Sequence, residues 1–220
     1  MVANTAGAVT SSNAVLTVTS PICTTAPSGL VGWWPGEGSA ENVIVNNDSC
    51  SSTGLGFTTG KAGQAFSLNS TNAFFHVSAS SNLNVGIGDG LTIEAWIKPS
   101  SVTGLHPILE WNTAQGNIGI QFWIGQNPGS QGVLCTFLMD TNGNNYTQVA
   151  SPAGTLATNK WQHVATTYDR ATHAVKVYVN GSVVAQSIWS GDVPQTSYDL
   201  WVGKRPADCS GCWTDGTFLS

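Results

Sequence analysis

Few residues in this 220-residue chain could do chemistry, because only 9% of it is charged. Two acids stand beside tryptophans, in Glu94-Ala95-Trp96 and in Glu110-Trp111, and an amide and an indole share the run Ile120-Gln121-Phe122-Trp123-Ile124. Rings that stack on the C–H face of a sugar, with amides and carboxylates that bond its hydroxyls, are what a carbohydrate groove needs. Trp123, Gln121, Glu94, Glu110 and Trp111 are therefore the candidate carbohydrate-binding residues. The plainer alternative for the same residues is a sandwich face closed by loops. Signals for catalysis are poor. His76, His106, His163 and His173 are scattered, without a nucleophile motif such as GxSxG. The glycine-rich GIGDG (86–90) follows no strand–helix unit, so it reads as a loop and not as a phosphate cradle. The run from Asp140 to Asn145 imitates the start of a calcium loop, but Gly143 comes two positions early and Ser151 stands where the bidentate Glu belongs. It reads as a hairpin turn.

The five cysteines are Cys23, Cys50, Cys135, Cys209 and Cys212. Cys135 alternates with Val133 and Phe137 and is expected as a buried, unpaired core residue. Cys23, Cys50, Cys209 and Cys212 lie in turn-rich flanks, as extracellular staples do, and are candidate disulfide partners with the pairing open. Cys209-Ser-Gly-Cys212 has the spacing of redox and zinc sites, yet no second pair completes a zinc set and GCWTDG is no helix start.

These residues need a scaffold, and the scaffold is written in strands. Short runs rich in Val, Ile, Thr and aromatics recur between Gly, Asn, Pro and Ser, with almost no helical period. Strands are expected at 64–68, 73–77, 91–98, 106–111, 117–125, 132–139, 145–150, 161–169, 174–180 and 198–203. Asn142-Gly143 and Asn180-Gly181 are expected to close hairpins, since Asn-Gly tolerates positive φ. So many strands in one domain predict an all-β, two-sheet antiparallel sandwich. With 41% hydrophobic residues and a net charge of −5, the chain is neither disordered nor basic enough for nucleic acid. Its apolar runs fall short of the roughly 18 residues of a membrane span, so no membrane insertion is expected. MVANTAGAVTSS lacks the charged start and apolar core of a signal peptide.

Six blocks in order resemble a known family: GLVGWWPGEG (29–38), GKAGQAF (60–66), LTIEAWIKP (91–99), WQHVATTYD (161–169), VKVYVNGSVVA (175–185) and LWVGKRP (200–206). They are similar to the bacterial variety of laminin G-like jelly rolls in the concanavalin A-like superfamily. The resemblance covers most of residues 29–206 and implies a jelly-roll sandwich over 29–220. It also implies a terminal Asp-Glu-Val strand, so this chain is expected to be truncated at its C-terminus with one sheet edge open. Residues 1–20 resemble the tail of an immunoglobulin-like domain, joined by a linker at 21–28. Family members often hold Ca²⁺ near a rim. Here Glu37 is kept and Asn42 stands in an Asp position, while Asp48 and Asp215 could substitute for missing ligands. Ca²⁺ is the one cofactor the resemblance suggests. Glycoside hydrolases of the superfamily carry Glu-x-Asp-x-x-Glu on one strand, and no such run exists here. The resemblance thus implies a non-catalytic binding or adhesion module of a larger secreted or cell-surface protein. Its partner would be a glycan or an extracellular protein, with flanking domains in the same parent chain. The alternatives are a carbohydrate-binding module of a polysaccharide-degrading enzyme, or a hydrolase or lyase with an unrecognised site.

Two tryptophans set a test for the scaffold. Adjacent residues on a strand point to opposite faces, so one of Trp33 and Trp34 is expected in the core and the other outside it. Trp96 and Trp161 fall inside the family blocks and are expected to serve packing.

Overall fold

The computed structural model describes residues 26–44, 50–69 and 73–206, with the backbone alone at 2–4 and 7–9. It forms two units, Met1–Leu30 and Val31–Ser220. In the first, β1 (Val2–Asn4) and β2 (Gly7–Val9) pair as an antiparallel hairpin. The rest of the expected immunoglobulin-like tail, residues 10–20, and the linker up to residue 25 lie outside the described residues.

The second unit is all-β. Its strands are β3 (Cys50–Thr53), β4 (Gly56–Thr59), β5 (Gln64–Ser67), β6 (Phe74–Val77), β7 (Gly90–Ile97), β8 (His106–Asn112), β9 (Ile118–Ile124), β10 (Leu134–Met139), β11 (Tyr146–Ala150), β12 (Gln162–Asp169), β13 (Ala174–Val179), β14 (Ser182–Ile188) and β15 (Asp199–Val202). A seven-stranded sheet runs β11-β10-β9-β8-β15-β6-β3, a four-stranded sheet runs β14-β13-β12-β7, and β4 pairs with β5 as a separate hairpin. All the pairings are antiparallel. This is the predicted two-sheet jelly-roll sandwich.

Alternation explains the core. On β9 Ile120, Phe122 and Ile124 point inward, and β13 sends Val175, Val177 and Val179 to meet them from the other sheet. Leu91, Ile93 and Ile97 of β7, Val164 and Tyr168 of β12, and Phe75 and Val77 of β6 complete the layer. Burying each such side chain contributes about 1.5–3 kcal/mol. Trp189 closes one end, edge-on to Tyr168 with centroids 5.4 Å apart, its indole N–H donated to Asn145 Oδ1 at 3.2 Å. The crossing is tight: any side chain at Gly119 would strike the Gln195 carbonyl.

Asn180 and Gly181 both have positive φ and form the tight turn between β13 and β14. The Asn142-Gly143 loop is wider than expected: positive φ falls on Gly143 and not on Asn142, and Asp140 N–H reaches Asn145 O. The GLVGWW segment is also not a paired strand. Asn42 clips it as a loop: its Oδ1 accepts from the N–H groups of Trp33 and Ile44, both at 3.0 Å, and its Nδ2 donates to Val31 O. The two indoles nevertheless separate. Trp34 packs on the core beside Phe75, with centroids 6.1 Å apart, and Trp33 is 48% exposed.

Candidate carbohydrate-binding face

Gln121 and Trp123 lie on the side of β9 opposite its core residues, which is the outer face of the seven-stranded sheet. Register extends this position into a row. Gln148 lies opposite Phe137, Phe137 opposite Gln121, Gln121 opposite Glu110, Glu110 opposite Trp201, Trp201 opposite His76, and His76 opposite Ser51. Each of the seven strands thus supplies one residue, and at strand spacing the row is about 29 Å long. Rings and polar groups are interleaved along it.

Glu110 anchors the middle. It is fully buried although it points away from the core. Asn112 Nδ2 donates to its Oε1 at 3.0 Å, Gln121 Nε2 donates to its Oε2 at 3.3 Å, and Arg205 Nε lies 3.4 and 3.3 Å from the two oxygens. Burial lifts the carboxyl from an ordinary 4.5 to about 7, although Arg205 and Asn112 pull the other way. Arg205 also covers Trp123, its guanidinium carbon 4.5 Å from the ring centroid. Trp123 is consequently only 6% exposed. Its indole N–H makes no hydrogen bond of ordinary geometry, yet its dipole still favours the charged carboxylate.

Lys204 and Arg205 follow β15 and part in opposite directions. Arg205 lies over Trp123, and Lys204 Nζ stands 4.9 Å from the Phe74 centroid. Beyond this ridge Trp201 is held between Phe74 and His76, at 5.6 and 4.3 Å, and its indole N–H donates to Asn112 O at 3.2 Å. Asp199 Oδ2 lies 3.0 Å from His76 Nε2, and Ser51 Oγ lies 3.3 Å from His76 Nδ1. The order Ser, His, Asp is that of a nucleophile, a base and its orienting acid. Here, however, Ser51 is exposed on the last strand of the sheet order, which suits a hydrogen-bonding group better than an activated nucleophile. On the near side Phe137 stacks on exposed Tyr146, with centroids 5.3 Å apart, and Gln126 Nε2 donates to Gln148 Oε1 at 3.2 Å.

The expected residues divide. Gln121, Trp123 and Glu110 come together. Glu94 does not join them: it sits on β7, on the outer face of the other sheet, 3.5 Å from His163. Trp111 opposes Leu200 and faces the core. Cys135 is buried, as expected, but opposite Trp123 on the outer side; Leu134, Thr136 and Leu138 take the inner side of β10. Burial raises its thiol from 9.0 to about 11. Trp96 is 49% exposed and so corrects the packing role expected for it. Of the calcium set, Glu37 Oε1 accepts the Gln64 N–H at 3.0 Å, and both lone pairs of Asn42 Oδ1 are taken by backbone donors. Asn42 therefore does not fit an ion ligand. Asp48 and Asp215 lie outside the described residues, as do Cys23, Cys209 and Cys212. Cys50 opens β3 and is exposed. Arg205, Trp201, His76 and Phe137 were missed as site residues. Trp201 and Phe137 could have been found by carrying strand alternation through 198–203 and 132–139, but nothing in GKRP announces that Arg205 folds back over Trp123.

A family model described as concanavalin A-like lectin/glucanases superfamily matches residues 69–218. The chain belongs to this superfamily. No curated protein matches it. Among solved structures it resembles the ligand-binding domain of botulinum neurotoxin serotype D, in complex with N-acetylneuraminic acid, at 19% identity and a TM-score of 0.57. That match covers 75% of this chain and 40% of the toxin chain, so the superfamily fold seen here spans less than half of the toxin domain. The binding domain of the same serotype also matches, at 18% identity and a TM-score of 0.56, over 75% and 40% of the two chains. The carbohydrate-binding module of a Ruminococcus gnavus sialidase matches at 18% identity and a TM-score of 0.49, over 62% of this chain and 74% of its own. Among the described residues no helix is long and apolar enough to cross a membrane.

Proposed function

We propose that this superfamily member is a non-catalytic glycan-binding module of a larger secreted or cell-surface protein, and that the outer face of the seven-stranded sheet is its binding surface. The observation that carries the reading is the cross-strand row from Gln148 to Ser51, in which Phe137 on one side and Trp201 with His76 on the other flank Gln121 and Glu110. A ring presents a face to a pyranose, and the neighbouring amides and hydroxyl bond its substituents. Fold likeness alone would not support this. The length of the row favours an oligosaccharide over a single ring. Trp201 is the ring this reading needs most, because Trp123 lies beneath Arg205. The toxin domain with the shared fold was solved with N-acetylneuraminic acid, and Lys204 puts a cation beside the row, so acidic sugars are the first probes.

The test is a glycan array followed by calorimetric titration with the best binder. Trp201→Ala should weaken binding about tenfold or more, and Trp201→Phe should keep most of it. A protein that binds no glycan on the array, or a Trp201→Ala variant that binds unchanged, sinks the proposal.

A further inference from the structure

The opposite side of the sandwich carries a second group of residues that the row does not use. On the outer face of the four-stranded sheet Trp96 projects from β7, half exposed. It lies directly opposite His163 on β12, and the two rings meet edge-on at 5.5 Å and 62°. His163 is held in turn by Glu94, whose Oε2 is 3.5 Å from Nε2, and its backbone N–H is donated to Asn180 Oδ1. From the tip between β4 and β5, Lys61 reaches over the indole, with Nζ 5.1 Å from the centroid. The ladder Glu94–Ala165–Tyr178 then places Tyr178 two strands away and two residues along from Trp96, about 12 Å by strand geometry.

We infer that this face is a second carbohydrate-binding site, with Trp96 as its stacking platform and an uncharged oligosaccharide as its ligand. An exposed indole on a sheet surface is costly to leave in water, and here it is braced by an imidazole that a carboxylate holds in turn. The groups around it are a carboxylate, an imidazole, an ammonium and a phenol; a polyhydroxylated ligand satisfies that mixture of donors and acceptors, and an apolar protein patch does not. The two charges set against the Trp96–His163 pair, Glu94 and Lys61, are of opposite sign, so the platform itself does not select an anionic sugar. The Lys61 contact is weak at an exposed ring; a sugar C–H face can take its place while the ammonium turns to a hydroxyl. Two sites on opposite faces could bind one branched or particulate glycan with a gain in avidity.

The site shares no residue with the seven-stranded face, so the two readings can fail separately. The measurement is a titration of the ¹⁵N-labelled protein with neutral linear hexasaccharides of glucose, mannose and xylose. With at least one of them the Trp96 indole N–H signal should move, Trp96→Ala should weaken that binding about tenfold or more, and Glu94→Gln should weaken it by less. Trp201→Ala should leave it unchanged. Because Trp96 is half exposed, its alanine variant should keep the native spectrum elsewhere. An indole signal that no hexasaccharide moves, binding that survives Trp96→Ala, or a Trp96-dependent self-association in its place would each overturn the inference.

Discussion

Trp123 and Trp96 occupy the same kind of position. Each lies on the solvent side of a strand whose other side is core, yet one is 6% exposed and the other 49%. The difference comes from what crosses above them. Arg205 folds back onto Trp123 and pairs with Glu110 beneath the same surface. Over Trp96, among the described residues, stands the tip of a hairpin with one lysine. Strand alternation therefore tells which side a residue is on and says nothing about whether that side is wet. Around Glu110, Trp123 and Arg205 the seven-stranded face has become a second, polar interior, while Gln121, Trp201 and His76 beside it stay partly exposed and the four-stranded face around Trp96 remains a surface.

The sharpest way to break this comparison is to remove both rings. Trp123→Ala should cost about 3–5 kcal/mol, as for a buried aromatic, because it opens a cavity beneath Arg205 and beside Cys135. Trp96→Ala should stay within about 0.5 kcal/mol, as surface substitutions do. Urea denaturation of the two variants measures both. Equal losses would mean that Trp96 is covered by something beyond its hairpin neighbour.

The buried pair comes next. Removing Arg205 leaves a desolvated carboxylate, so Arg205→Met should cost about 3 kcal/mol at pH 8. The sign of the pH effect follows from Glu110. Its folded carboxyl is raised above its unfolded value, so the folded state binds the proton more tightly. Its contribution to stability is present in full below about pH 4.5 and is lost as pH rises towards about 7. The cost of Arg205→Met should therefore shrink at pH 5, where Glu110 can protonate, and Glu110→Gln should flatten this limb of the melting-temperature profile. An Arg205→Met penalty that is the same at pH 5 and pH 8 would mean that Glu110 is not the group that titrates.

The same distinction between side and exposure governs what could be read from the sequence. All ten expected strands are present because each has hydrophobic alternation with a core on one side. β3, β4 and β14 are not among them: Cys50-Ser-Ser-Thr53, Gly56-Phe-Thr-Thr59 and Ser182–Ile188 bury little, so they carry no clear period to read. Glu94 was assigned to the wrong face because alternation fixes a residue's side within its own sheet and cannot say which sheet its strand joins. Cys135 was placed on the core side because Val133, outside the strand, was counted in its alternation. Trp111 was grouped with Glu110, although neighbours on a strand must diverge and a register shift lies between Glu110 and Asn112. The Glu110–Gln121–Trp123 cluster was legible, but its cover was not, since Arg205 is brought there by the path of the chain after β15.

The smallest expected effect tests the polar interior from beneath. Cys135 lies opposite Trp123 on β10, and burial holds its thiol near 11. At pH 8 almost none of it is thiolate, and thiolate is the reactive form. Iodoacetamide should therefore label Cys135 in the folded protein only as fast as the region opens, and at once after denaturation. If Arg205 and Trp123 are what shield it, Arg205→Met should speed this labelling measurably at pH 8, while Trp96→Ala on the far face should not. Peptide mass spectrometry after timed alkylation reads the rate at this one cysteine. Rapid labelling in the unaltered protein would mean that the face over Cys135 is open to solvent after all. Trp123 would then return to the accessible surface as a stacking ring, and the contrast with Trp96 would disappear.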